Sequence, residues 1–134
     1  MSQNTAEGQR WLAQAQRDLA DAKVLLDAQS YASSCFHAQQ AAEKATKAFL
    51  YSQGIRAIIS HSVQRLITEC ARIDASFTDL TEAGKELDRH YIGSRYPNFY
   101  AEGTPSEYYT KEMADKCVRY ATLILEGVQR LLSR

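Results

Sequence analysis

Trp11, Ala15, Leu19, Ala22 and Leu26 recur at intervals of four, four, three and four, the period that places side chains on one face of an α-helix. The same period returns in three further stretches: Cys35, Ala38, Ala42, Ala45 and Phe49; Val63, Leu66, Ile67 and Cys70; and Met113, Cys117, Tyr120, Ile124, Val128 and Leu131. A helical period sustained along most of a chain leaves little room for a sheet, and IRAII at 55–59 is too short and unpartnered to make one. The expectation is an all-α, up-and-down helical bundle of about five helices. Helix one is placed over Ala6–Gln29 and helix two over Ala32–Gln53, with Gly54 as a left-handed stop. The short connection makes these two antiparallel, and the alanines of helix two permit close approach. Ser60 is assigned as the cap of a third helix running to Arg72, and a fourth starts near Thr78 and carries Leu80, Leu87 and Tyr91. After a loop from Ile92 to Gly103, Thr104, Pro105 and Glu107 have the pattern of a capping box opening a long fifth helix.

The chain's 134 residues, 45% hydrophobic and 24% charged, fit one globular domain over 1–134 with no need of disulfides or a structural metal. Sixteen basic side chains balance sixteen acidic ones, so no global positive field gathers nucleic acid, and any nucleotide site must be local. The opening MSQNTAEGQR is polar, and no run approaches the roughly 20 apolar residues of a membrane span. A cytoplasmic protein without membrane contact is expected. Cys35, Cys70 and Cys117 lie far apart with no Cys-x-x-Cys pair, so they are read as core residues, with neither metal nor cofactor expected.

Two groups of polar residues stand out. On helix two, Gln40, Lys44, Lys47 and Tyr51 follow a helical period with Glu43 beside them, a set able to neutralise phosphates and orient a nucleotide, or to form a solvated face or a dimer seam. Farther on, Arg95 and Tyr96 sit in SRYPN, where Pro97 restricts Tyr96 to extended backbone and holds the pair in a fixed presentation. Arginine meets phosphate bidentately and tyrosine stacks on bases. Five of the eight tyrosines fall between Tyr91 and Tyr109, near Arg89, His90 and Arg95, which makes this the chain's basic and aromatic patch. The alternative pairs Arg95 with a core-facing acid and uses the tyrosines to cover the bundle end or a dimer seam.

The string CFHAQQAAEKATKAFL, then SHSVQRLI, then YIGSRYPNFY, in this order, resembles the HEPN family (higher eukaryotes and prokaryotes nucleotide-binding), in the branch with the RYP block; the likeness runs from about Trp11 to Leu131. It implies a bundle with a short extra helix, commonly a homodimer, often encoded beside a small nucleotidyltransferase with which it forms a toxin–antitoxin pair. It also implies binding of nucleotide or RNA, for which the candidates are Gln40, Glu43, Lys44, Lys47, Tyr91, Arg95 and Tyr96.

Catalytic members of that family carry an arginine followed after four to six residues by a histidine. The histidine moves the proton as a 2′-hydroxyl attacks, and the arginine stabilises charge on phosphorus. Arg56 and His61 have that spacing and would make a metal-independent endoribonuclease. Against this, Arg56 falls in the loop after Gly54, Ala57 stands where a polar residue is usual, and His61 also suits a purely structural place at the start of helix three. A third reading is a protein-interaction module that binds no small ligand. His37 and His90 are left aside as surface or capping residues.

Overall fold

The computed structural model describes residues 2–134, which are helical with no strand among them. Five helices are eight residues or longer: α1 (Gln3–Asp27), α2 (Tyr31–Ser52), α3 (Val63–Ala71), α4 (Thr81–Asp88) and α7 (Lys111–Leu132). Single turns α5 (His90–Gly93) and α6 (Pro105–Tyr108) lie between α4 and α7, and 3-10 turns occupy Ala75–Leu80 and Pro97–Phe99. No helix among the described residues is long and apolar enough to cross a membrane.

Helix α2 runs through the centre, packed on α1 and α7 along its length and on α3 at its side. Fourteen of its 22 residues are buried, so it has no solvated face of helical width. Its alanines 38, 41, 42, 45 and 48 are fully buried and let the neighbouring helices approach. Gly8 on α1 shows how close: a Cβ there would meet Ala48 O and Ser52 Cβ, each at 2.9 Å. Phe49 packs on Phe77 with ring centroids 4.8 Å apart, joining α2 to the 3-10 turn that underpins α3 and α4. Leu66, Ile67, Leu87 and Ile124 complete the core, and Gly54 has the left-handed φ of +86° expected of a helix stop.

Several boundaries differ from the sequence expectation. Helix α1 begins at Gln3, because Ser2 accepts from the Thr5 amide at 3.0 Å. Helix α3 is capped by Ser62 rather than Ser60: Ser62 Oγ accepts from the Arg65 amide at 3.1 Å and donates to Asp88 at 2.7 Å. Asp88 also accepts from the Val63 and Gln64 amides, so a carboxylate from α4 satisfies the open end of α3. The Thr104–Pro105–Glu107 signal opens only the single turn α6; Thr104 makes no side-chain cap and pairs with Ser106 instead. Tyr109 then turns extended so that its ring enters the core, and Thr110 caps α7 by accepting from Met113 at 3.2 Å. Burying one tyrosine outweighs the continuous helix that local pattern favours.

Candidate functional site

Because most of α2 is covered by its neighbours, Glu43 and Lys47 of the polar row foreseen on it lie within the bundle, while Gln40, Lys44 and Tyr51 are part-exposed at its margin. Glu43 and Lys47, one turn apart and each about 95% buried, pair at 3.0 Å. The Lys47 ammonium also faces the Trp11 ring of α1 at 5.8 Å, and Trp11 stacks on Tyr51 at 5.1 Å. Lys44 is drawn to Asp18 of α1 at 2.5 Å, while Gln14 donates to the other Asp18 oxygen at 2.9 Å. Gln40 donates to the side chain of Gln39, which in turn donates to the His61 carbonyl at 3.0 Å. Lys44 and Lys47 are therefore both matched to protein carboxylates.

His61 is what the tertiary fold adds to this row. Its Nδ1 faces Glu43 Oε2 at 3.4 Å, the same oxygen that accepts from Lys47, whereas Glu43 Oε1 is buried with no partner among the described residues. A carboxylate can only accept, so Nδ1 is the nitrogen that carries the proton, leaving Nε2 for solvent or a ligand. The His61 side chain is 59% exposed over a carboxylate that is 5% exposed. The imidazole lies flat on Tyr91, with centroids 5.5 Å apart and planes at 13°.

Tyr91 also carries the arginine of the RYP block. The Arg95 guanidinium is 4.7 Å from the Tyr91 ring, 4.4 Å from Phe36 and 4.8 Å from Tyr96, and its Nε donates to the Tyr91 carbonyl at 2.9 Å. Held by three aromatic faces and one backbone oxygen, Arg95 has no carboxylate partner among the described residues and is half-buried. Tyr96 is 45% exposed. Glu43, Lys47, His61, Tyr91, Arg95 and Tyr96 thus form one connected cluster. Arg56 has separate partners: it donates to Asn4 Oδ1 at 2.6 Å and to the carbonyls of Tyr51 and Ile55. Tyr51 lies eight residues along α2 from Glu43, about 12 Å of helix rise.

Sequence reasoning passed over His90, which is 6% exposed at the floor of a cleft of about 740 Å³. Its Nδ1 lies 2.7 Å from the Tyr109 hydroxyl and its Nε2 3.6 Å from Glu86. Lys116 donates to Glu86 at 2.8 Å, and this hydrogen bond, ahead of any other cause, holds the Glu86 carboxyl below its ordinary value. Burial pushes the Tyr109 hydroxyl up. Tyr91, Phe99, Tyr100 and Met113 share the cleft's walls, so Tyr91 separates it from His61. The only sequence signal was the aromatic density between Tyr91 and Tyr109.

The chain's likeness to known proteins follows the same architecture. It is 35% identical over 130 residues to the protein named "Putative toxin MJ1304" of Methanocaldococcus jannaschii, covering 91% of this chain and 86% of that protein. Among solved structures, TT1696 of Thermus thermophilus matches with a TM-score of 0.87 at 35% identity, over 92% of this chain and 97% of its own. ST0689, described as an archaeal HEPN homologue, matches with a TM-score of 0.78 at 38% identity, over 94% and 98%. A HEPN domain protein of Thermotoga maritima gives 0.75 at 30% identity, over 93% and 98%. The family profile described as HEPN domain matches residues 9–131, nearly the whole helical bundle built above, and the chain belongs to the HEPN family.

Proposed function

We propose that this chain is a toxin-like HEPN protein that binds a nucleotide, or the phosphate backbone of RNA, on the surface formed by His61, Tyr91, Arg95 and Tyr96. The observation that carries this reading is the exposed imidazole of His61, set on Tyr91 and backed by Glu43, with an arginine free of carboxylates on the same tyrosine. Arg95 supplies positive charge and directional donors, and Tyr96 offers a face for a base. Lys47, Glu43, Lys44 and Gln40 support the site from within: their partners are protein groups, and their part is to fix His61 and the α1–α2 seam. The toxin character rests on the relative's name, and a homodimer with a small nucleotidyltransferase partner rests on family membership.

Calorimetric titration with ATP, GTP and NMP tests the binding. Heat that saturates in the wild type and weakens at least tenfold in both His61→Ala and Arg95→Ala is the expected result. No heat at millimolar ligand rejects the proposal.

A second reading, RNA cleavage, is favoured by the His61–Glu43 contact, since an imidazole with its inner nitrogen on a carboxylate is arranged to move a proton at the outer one. In that case Arg95 is better placed than Arg56 to stabilise charge near His61. Cleavage of a labelled RNA, lost in His61→Ala and in Arg95→Ala but kept in Arg56→Ala, is expected. Loss in Arg56→Ala alone would restore the sequence-adjacent pair.

A further inference from the structure

Two of the three cysteines that are far apart in sequence meet in the fold. Cys35 of α2, Cys117 of α7 and His90 of α5 are all buried, and their ligand-capable atoms lie within 4.8 Å of one another. This separates them from Cys70, whose Sγ is turned to the Thr46 carbonyl at 3.6 Å.

We propose that Cys35, His90 and Cys117 form a binding site for a thiophilic d10 cation, Cu(I) or Zn(II), reached through the cleft in front of His90.

Three observations support it. The donor set is two sulfurs and one imidazole, which suits soft or borderline ions and discriminates against magnesium or calcium. The imidazole is already oriented, with Tyr109 at Nδ1 and Glu86 at Nε2. A bound ion takes one of these nitrogens and leaves the other on its oxygen partner, the arrangement that fixes ring orientation in histidine-ligated metals. The cleft supplies a route from solvent, walled by Glu86, Tyr109 and Met113, the last a thioether that favours soft cations in transit.

Thiolates about 2.3 Å from a zinc ion sit roughly 3.8 Å apart, so the cluster needs to contract by no more than about 1 Å. No oxidation is involved. Each thiol releases its proton to solvent as its sulfur bonds to the metal, and the imidazole binds as the neutral base.

The experiment takes the full chain, reduced and stripped with a chelator. It is titrated with Zn(II) against a chromogenic chelator and, anaerobically, with Cu(I) against bicinchoninate. One equivalent retained per chain is expected, with X-ray absorption showing two sulfurs and at least one nitrogen. Affinity should fall at least tenfold in Cys35→Ser and Cys117→Ser and stay unchanged in Cys70→Ser, with circular dichroism checking that each is folded. Retention of only one of the two ions supports the site and names its metal. Failure to hold either ion, or a metal bound through oxygen and nitrogen alone, overturns the proposal using wild-type protein only, whatever the variants' stability.

Discussion

His61 and His90 stand on either side of Tyr91, and each has a ring nitrogen facing a glutamate, at 3.4 Å and 3.6 Å. Their surroundings are inverted. At His61 the carboxylate is buried and the imidazole is open, whereas at His90 the imidazole side chain is 8% exposed and the carboxylate, at 18%, reaches toward the surface to meet Lys116. A buried carboxylate with an open imidazole directs reactivity outward. A buried imidazole with an outward carboxylate keeps its Nδ1 on Tyr109 inside the bundle, in the neighbourhood of Cys35 and Cys117. The nearest contact is almost the same, and burial decides what each histidine can touch.

The largest expected effect tests the support beneath His61. Lys47→Met leaves Glu43 buried without its cation and should lower stability by about 3–5 kcal/mol in urea denaturation. The double variant Glu43→Leu/Lys47→Met should recover most of that, since two apolar groups carry no unpaired charge. A Lys47→Met loss under about 1 kcal/mol would mean that solvent reaches the pair.

Next comes the inward-facing histidine. Tyr109→Phe keeps the ring in the core but removes the hydroxyl that meets His90, and should cost about 1–3 kcal/mol by the same measurement. An unchanged midpoint would show that this hydrogen bond adds nothing to stability.

Acid distinguishes the two sites through Glu86. Its folded value lies below the ordinary 4.5, so the stabilisation is fully present above that pH and is lost as pH falls through the lower folded value. Glu86→Gln should therefore flatten the acid limb of the stability profile below about pH 4.5, and Lys116→Met should do so partly. If both variants retain the wild-type slope, the Lys116 contact does not operate in solution.

The smallest stability effect belongs to His61 itself. His61→Ala should stay within about 0.5 kcal/mol of wild type, as exposed positions do, while removing ligand binding. A loss of several kcal/mol would recast His61 as a structural cap.

Much of this division was legible from the start. The stripes of Trp11 to Leu26 and Cys35 to Phe49 mark α1 and α2 because burial on one side imposes a 3.6-residue period that survives in sequence. The Thr104 signal misled because a cap preference is worth about 1 kcal/mol, less than a buried tyrosine returns by leaving the helix at Tyr109. The candidate site was half legible: Glu43, Lys47, Tyr91 and Arg95 were marked by residue type and pattern. The partner of His61 was not, since Glu43 is 18 residues away, and spacing alone favoured Arg56.

By itself the sequence determined an all-helical bundle, its long helices and its family, because these follow from local periodicity and from motifs read along the chain. Only the tertiary structure decided that Glu43 and Lys47 of α2 lie inside, that His61 looks outward while His90 looks inward, and that Cys35 meets Cys117. Those outcomes depend on which faces are covered once α1, α3 and α7 close around α2, and solvent exclusion at a given atom is set by neighbours distant in sequence.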